Sequence, residues 1–220
     1  MLSCDNKGGL LCFLDIFESK GFILKKRLFS MSLPEWTNLG VLPPVHPTET
    51  GIGLNRSPYP ITLRELVDRF STSAERIDVL KGFLSYRAAL HAAGIVRGFQ
   101  WLDGSFMENV ERLEDRPPRD MDVVTFFHLP EGIDQVALAV RSSALFSPKE
   151  TKQAYRIDAY AMPLGTTLAE RHVKMIAYWY SMWSHRRDGT WKGFVQVDLD
   201  PEQDAAVRQS IVTHVNRDPS

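Results

Sequence analysis

Three aspartates lie where two apolar strands are predicted, and their spacing suggests a cation site. Asp120 and Asp122 open the β-branched and aromatic run 121–127, and Asp158 lies within the alternating run 156–162. Because side chains alternate along a strand, Asp120 and Asp122 share one face, about 7 Å apart. Like charges this close repel each other unless a cation or solvent relieves them. Carboxylate oxygens suit hard divalent cations such as Mg²⁺, so we expect the three aspartates to hold metal.

A Gly-Ser pair precedes these acids in the chain. Gly104 and Ser105 follow the predicted strand 98–102. Glycine lets the backbone approach a phosphate closely, and the serine hydroxyl and amide can donate hydrogen bonds to it. Alone, such a pair is more often a plain turn than a phosphate site. Asp103 is interpreted as a turn residue that caps local amides rather than as a fourth metal ligand.

The order of these motifs resembles the DNA polymerase β-like nucleotidyltransferase superfamily. The segments WLDGSF, RDMDVVTFF and YRIDAYAM follow its order of hydrophobic-Gly-Ser, Asp-x-Asp and a third strand acid. With GVLPPVHP and HRRDGTWKGFVQVDL added, residues 31–200 are similar to an uncharacterised bacterial family within that superfamily. The resemblance implies the three aspartates as catalytic metal ligands, Gly104 and Ser105 as contacts to a nucleoside triphosphate, and Mg²⁺ or Mn²⁺ as the metal.

The activity that the resemblance implies is transfer of a nucleoside monophosphate from an NTP to an acceptor hydroxyl, with release of pyrophosphate. The acceptor is a protein, an RNA or a small molecule. Relatives of this size often neutralise toxins or act in phage defence, which adds a toxin to the candidate partners. Two alternatives stay open: a catalytically idle, antitoxin-like binding module, and a metal-dependent nuclease, which the Gly-Ser turn disfavours.

The segment after Ser105 departs from the superfamily pattern in two ways. Ser105 and Asp120 are separated by 14 residues, more than in compact members of the superfamily. Antitoxin-type members usually follow Gly-Ser with an arginine-bearing turn, whereas this chain has Phe106-Met107-Glu108-Asn109. Metal binding survives both changes easily, but the altered turn favours the idle module, and the nucleotide and the acceptor stay open.

Basic residues near the acids are candidates for binding an anionic substrate. Lys174 and Arg171, on a predicted helix, are equal candidates for contacting the triphosphate. Lys149 and Lys152 precede the strand of Asp158 and either face the cleft or lie on a solvated helix face, which is the favoured interpretation.

The fold expected around these residues is α/β (α+β), a small mixed sheet flanked by helices, which the resemblance identifies as the nucleotidyltransferase fold. Hydrophobic periodicity and capping signals locate its elements. The predicted elements are a helix capped by Thr62 with Glu65, a helix from Ser73 to about Ala93 ended by Gly94, strands at 98–102, 121–127, 156–162 and 193–199, and helices at 133–146, 167–187 and 201–215.

The chain is expected to divide into three stretches. Residues 1–30 lack a helical or strand period and precede a second methionine, Met31, so they are interpreted as an N-terminal extension that is dispensable for folding. Residues 31–60 are rich in proline and are expected to form an extended arm outside the core. Residues 61–220, opening with a pair of helices, form the nucleotidyltransferase-like domain.

The composition is that of an ordinary globular protein. The 220 residues carry 26 basic and 27 acidic side chains, a net charge of -1, which gives no reason to expect a nucleic-acid or membrane partner. Cys4 and Cys12 form neither a disulfide framework nor a zinc cluster, so a reducing, cytoplasmic setting is expected. No apolar stretch approaches the roughly 20 residues that span a bilayer.

Overall fold

The computed structural model describes residues 33–215, with side chains as far as residue 209. Its strands are β1 (Tyr59–Ile61), β2 (Gly98–Asp103), β3 (Met121–His128), β4 (Ile157–Leu164) and β5 (Val195–Asp198). They form one sheet in the spatial order β1-β5-β2-β3-β4. The β1–β5 and β3–β4 pairs are parallel, and the two central pairs are antiparallel. The expected mixed sheet is therefore confirmed.

Helices flank this sheet, as expected for a mixed α/β protein. They are α1 (Leu63–Phe70), α2 (Ala74–Ala92), α3 (Val110–Glu114), α4 (Gln135–Arg141), α5 (Pro148–Tyr155), α6 (Glu170–Trp183) and α7 (Pro201–Val215), with short 3-10 turns at Ser105–Met107 and Ser143–Phe146. None of these described helices is both long enough and apolar enough to cross a membrane.

The first two helices begin and end where the sequence predicts. The Thr62 hydroxyl accepts from the Glu65 amide, and the Glu65 carboxylate accepts from the Thr62 amide at 2.7 Å, which completes a capping box. Ser73 caps α2 by accepting from the Arg76 amide. Gly94 follows α2 with φ of 88°, a left-handed conformation that glycine adopts without steric cost.

Each face of the sheet buries its own apolar cluster. Leu102 and Val123 face the core formed with α1 and α2. Trp101 and Val124 face the other way, where they pack with Trp179 of α6. Because side chains alternate along a strand, the odd-numbered residues of β2 and the even-numbered residues of β3 share the α6 face, and so do Asp103 and Asp122.

A buried arginine ties two helices to the sheet. Arg87 of α2 is fully buried, and its guanidinium donates to both oxygens of Asp204 on α7, at 2.6 and 2.7 Å. It also donates to Gln100 of β2 at 2.7 Å. His91 Nε2 lies 2.9 Å from the same Asp204 carboxylate. A buried charge with every partner in place is stable, whereas loss of one partner leaves an uncompensated charge in the core.

The proline-rich segment is not an arm outside the core in its described part, from residue 33 onward. Val41 and Leu42 are only 1% exposed, and Tyr59–Ile61 is the outermost strand β1. Proline is compatible with an edge strand because one side of that strand needs no ladder hydrogen bond, which accommodates Pro60. The prediction for residues 1–30 lies outside the described residues.

Several predicted helix boundaries differ from the structure. The helix predicted at 133–146 is the short α4 followed by a 3-10 turn. The helix predicted at 167–187 is shorter at both ends and corresponds to α6. Helix α3 lies where no element was predicted, and α5 contains Lys149 and Lys152, which were expected on a helix face, although no bounds were predicted for that helix. The start of α5 has a recognisable signal, because Ser147 accepts from the Glu150 amide and Pro148 occupies the first turn.

Asp204→Ala is expected to lower the free energy of unfolding by about 3–5 kcal/mol, because it leaves the buried Arg87 guanidinium without its carboxylate. Urea denaturation at neutral pH measures this loss. Glu202→Ala is the matched control, since Glu202 is exposed on the same helix, and it is expected to cost less than about 0.5 kcal/mol. Equal losses in the two variants would contradict a structural role for the Arg87–Asp204 pair.

Candidate functional site

Three aspartates lie side by side across the central strands. Asp122 of β3 is in register with Asp103 of β2 on one side and with Asp158 of β4 on the other. Neighbouring strands are about 4.8 Å apart, and residues in register point to the same face. Asp103, Asp122 and Asp158 therefore form one row of carboxylates, the acid row. Asp120, two residues before Asp122, lines the same cavity.

The acid row borders a cavity because α6 ends short of it. The next row on this face consists of Trp101, Val124 and Tyr160, and α6 covers it through Trp179. Helix α6 stops at Trp183, which borders a cavity of about 740 Å³. All five predicted site residues line this cavity, so the structure brings together what the motifs place apart in the chain.

Gly104 is required by the geometry of the turn beside the acid row. Its φ is 86°, and a Cβ atom added there would lie 2.7 Å from Asp122 Oδ2. Any other residue would be strained and would push the carboxylate aside. Ser105 then begins the 3-10 turn, and it lines the cavity next to Gly104. The Gly-Ser pair is thus a tight turn in direct contact with the acid row.

A buried arginine fixes the segment that follows this turn. Arg76 of α2 is fully buried and donates to the carbonyl oxygens of Phe106 and Glu108, at 2.7 and 2.6 Å. Its guanidinium also pairs with both carboxylate oxygens of Glu111. Bidentate pairing of this kind fixes geometry as well as adding energy. The turn that carries Gly104 is therefore held from behind by α2.

Lys192 closes one end of the acid row. It is 4% exposed, and its ammonium lies 2.9 Å from both Asp103 Oδ1 and Glu108 Oε1. Burial alone would lower the pKa of Lys192, but Asp103 and Glu108 raise it above its usual value. Burial raises the pKa of Asp103 to about 6, even though Lys192 opposes the shift. Lys192 is thus a fixed positive charge within the site.

Lys152 lies at the other end of the acid row. Its ammonium is 2.8 Å from Asp120 Oδ2 and 3.6 Å from Asp158 Oδ2. About half of the Lys152 side chain is exposed, so this cation can move away, unlike Lys192. The interpretation of both nearby lysines as solvated is therefore wrong for Lys152, which lines the cavity, whereas Lys149 is exposed outside the cavity lining.

Asp122, in the middle of the acid row, has no basic partner within the described part of the chain. Burial raises its pKa to about 7, and repulsion from Asp103, Asp158 and Asp120 adds to the shift. Lys192 opposes this shift from a distance. A buried carboxylate whose neighbours are also carboxylates gains most from an added cation.

Arginines form the rim of the cavity. Arg186 reaches Glu108 at 3.4 Å and Glu114 at 3.2 Å. The side chains of Arg119 and Arg187 are exposed at the cavity and make no ion pair among the described residues. The cavity therefore has an acidic floor and a rim with unpaired positive charge, and such an arrangement attracts an anion.

The two basic residues predicted to reach a triphosphate do not lie at the cavity. Lys174 pairs with Glu170, one turn earlier on α6, and three quarters of its side chain is exposed. Arg171 contacts the neighbouring His172. Both project from the first half of α6, whereas the cavity lies beyond its last residue, Trp183. Neither residue lines the cavity, whereas Arg119, Arg186 and Arg187 do.

Asp103 is a site residue that sequence reasoning assigned to the turn. Its carboxylate accepts from the Gly104 backbone amide, as expected of a turn cap, but it is also the last residue of β2, 3% exposed and paired with Lys192. A signal was available, because Asp103 alternates with Trp101 and so shares the face of that residue. Lys192 and Glu108 carry no comparable signal, since their partners lie 84 to 89 residues away in sequence.

The carboxylates provide the type of oxygen ligand that a divalent cation binds. In this structure, however, they are not arranged around such an ion. Among residues 33–209, no three His, Cys, Asp or Glu side chains are arranged to enclose a metal ion. The Lys152 ammonium lies between Asp120 and Asp158 instead, which shows that these oxygens can share a cation. The donors of the acid row are carboxylate oxygens, the ligand type that a hard cation such as Mg²⁺ prefers.

Fold and site together define a mixed α/β protein with a carboxylate-floored cavity. Residues 34–198, three quarters of the chain, match DUF6932, a family of unknown function. The chain belongs to this family. No curated protein and no solved structure matches the chain. The matched range contains every residue that lines the cavity, so the site falls within the region that defines the family.

The raised pKa of Asp122 predicts a pH-dependent stability. Its value near 7 in the folded protein exceeds the roughly 3.9 of an unfolded aspartate. The stabilisation linked to the protonated Asp122 is complete below pH 4 and is lost as the pH rises through 7. Asp122→Asn removes this loss, so between pH 4 and 8 the variant is expected to gain up to about 4 kcal/mol over the wild type, at about 1.4 kcal/mol per pKa unit.

Urea unfolding of both proteins across this pH range measures the difference. Asp188→Asn is the control, because Asp188 also lines the cavity but its side chain is 58% exposed, and its curve is expected to run parallel to the wild type. A parallel curve for Asp122→Asn would show that the acid row does not hold Asp122 near neutrality.

Proposed function

We propose that the chain is a metal-dependent nucleotidyltransferase with the fold of that superfamily. It would transfer a nucleoside monophosphate from an NTP to a hydroxyl of a protein, an RNA or a small molecule. The observation that carries this proposal is a single cavity with a floor of carboxylates and a rim of arginines. A nucleoside triphosphate with a divalent cation needs both charges at once, since its phosphates are anionic and its metal is cationic.

The position of each residue in the cavity indicates its role in the proposed reaction. Asp120, Asp122 and Asp158 would hold Mg²⁺ or Mn²⁺, which supplies a lowered pKa for the acceptor hydroxyl and neutralisation of the charge on the leaving group. The turn at Gly104 and Ser105 brings a hydroxyl and backbone amides close to that place, where they can donate to phosphate oxygens. Lys192 holds Asp103 and Glu108 in place, and so keeps one wall of the cavity fixed.

The transfer itself is a substitution at phosphorus. The acceptor hydroxyl gives its proton to a carboxylate of the acid row and its oxygen forms a bond to the α-phosphorus, while the bond from that phosphorus to the bridging oxygen of the β-phosphate breaks and pyrophosphate leaves. Negative charge grows on the leaving pyrophosphate during this step. The unpaired guanidinium groups of Arg119 and Arg187 lie at the cavity rim, where they can stabilise this charge.

One observation favours a second candidate, a catalytically idle and antitoxin-like binding module. Lys152 already occupies the space between Asp120 and Asp158, and a protein that never binds metal can keep its acids neutralised in this way. A toxin would then be the partner bound through the same fold. The uncompensated Asp122 argues for the enzyme, because an idle module has no use for a destabilising carboxylate.

Label transfer distinguishes an enzyme from a binding module. Incubation with α-labelled NTP, Mn²⁺ and cell lysate is expected to move label onto an acceptor. Asp120→Asn combined with Asp122→Asn is expected to reduce transfer by roughly 100-fold or more, because the metal loses its ligands. Asp188→Asn, a change of the same type at the exposed rim, is expected to retain the activity.

The negative outcomes of this assay are also informative. If none of the four NTPs gives labelled product and the protein co-purifies with one specific protein, the binding module replaces the enzyme. Shortened RNA or DNA in the same reactions would instead identify a nuclease, which clustered carboxylates also serve.

The position of Lys152 suggests a test of the metal site that does not depend on catalytic activity. If its ammonium occupies the place of a cation, Lys152→Met is expected to bind Mn²⁺ about two- to fivefold more tightly, as an exposed ion pair is worth roughly 0.2–1 kcal/mol. Calorimetry without nucleotide measures this change. Lys149→Met, an exposed change on the same helix, is expected to have no effect. Weaker Mn²⁺ binding by the Lys152 variant would contradict competition between ammonium and metal.

A further inference from the structure

The cavity has one apolar wall, which the proposed transfer chemistry does not use. Tyr160, Met182 and Trp183 supply this wall. The other lining residues are charged side chains, a histidine, a serine and a glycine. Met182 is 42% exposed and Tyr160 is 37% exposed, so both present apolar surface to the cavity. Apolar surface that lines a cavity beside convergent polar groups is a common feature of ligand-binding sites.

Tyr160 is the residue of this wall that lies beside the acid row. It follows Asp158 by two positions on β4, so the two side chains share one face about 7 Å apart. Its row neighbours Trp101 and Val124 are buried, at 9% and 0% exposed, because α6 covers them. Tyr160 lies on the outermost strand, where this cover ends.

The Tyr160 ring packs against a tryptophan of α6 and also lines the cavity. Its centroid lies 6.2 Å from that of Trp179 on α6.

We propose that Tyr160 and Met182 form a stacking site for the base of the bound nucleotide. The inference rests on the proposed function, because it takes the phosphates to lie between the acid row and the rim arginines. In a nucleotide bound there, the base lies several ångströms from the α-phosphate. The side chains of Asp158 and Tyr160 are separated by a similar distance along β4. Within the described residues, the apolar wall is the part of the cavity lining against which such a ring can pack.

The chemistry of this wall determines what it selects. Stacking on an aromatic side chain tolerates any base, because every base has a π-face. A methionine thioether adds a polarisable contact that adapts to rings of different size. The wall carries no amide or carboxylate to read the edge of a base, so the site accepts purine and pyrimidine nucleotides alike, with purines held more tightly through their larger rings.

Comparison of nucleotides with inorganic tripolyphosphate tests this site. Tripolyphosphate carries the same charged chain without a base, so it uses the acid row and the arginines but not the wall. Calorimetry would measure the binding of ATP, GTP, CTP, UTP and tripolyphosphate, each with Mn²⁺. Tyr160→Ala is expected to weaken each nucleotide by about 5- to 100-fold, and to leave tripolyphosphate within about twofold of the wild type.

Two control variants isolate the ring. Tyr160→Phe keeps the ring and removes the hydroxyl, and it is expected to bind nucleotides nearly as the wild type does. Tyr178→Ala removes a tyrosine of α6 that is 62% exposed and lies outside the cavity lining, and it is expected to change nothing. Thermal melting of each variant checks that the fold is intact.

Three outcomes would overturn the stacking site. Unchanged nucleotide affinity in Tyr160→Ala excludes it, and so does an equal loss for tripolyphosphate, which would make Tyr160 a support for the acid row. A loss in Tyr160→Phe as large as in Tyr160→Ala would assign the effect to the hydroxyl. If the wild type binds neither ligand, the proposed function itself fails, and this pattern differs from the other three.

Discussion

Repulsion between neighbouring carboxylates is the constraint on which the structure of this site depends. Asp103, Asp122 and Asp158 are in register on adjacent strands, so the sheet that aligns them also forces their charges together. The chain relieves this repulsion differently at the two ends of the row. A buried ammonium, that of Lys192, is fixed at one end, and a half-exposed one, that of Lys152, is free to leave the other. The centre is left for a cation or a proton.

Helix α2 supports this arrangement from the opposite side of the sheet. It buries two arginines, Arg76 and Arg87, which are 11 residues apart and therefore lie about three turns apart on one side of the helix. Arg76 holds the segment behind the Gly-Ser turn, and Arg87 holds Asp204 of α7. Helix α2 thus holds both one wall of the cavity and helix α7 in place. The position of the acid row depends on these two attachments.

Local patterns in the sequence predicted most of the fold and only part of the site. Alternation along strands placed Asp122 and Asp158 on one face, since that periodicity is set within a few residues, and Asp120, just before β3, lines the same cavity. It could not locate Lys192, whose carboxylate partners are distant in sequence and whose burial depends on the whole sheet. The edge strand at Tyr59–Ile61 was missed because three residues that include a proline give no period. Short elements and long-range ion pairs exist only through tertiary packing.

The segment between Ser105 and Asp120 is longer than in compact members of the superfamily that this chain resembles. Its length affects how related sequences can diverge. Arg76 anchors the chain as far as Glu111, and pairing of β3 with both neighbours fixes it again from Met121. Between Glu114 and Asp120 the described chain forms no strand pairing, so the length of this segment is not fixed by the register of the acids. Doubling the length of a flexible loop costs only about 0.6 kcal/mol. Insertions can accumulate there and reshape the mouth of the cavity, while the carboxylates behind it stay in place.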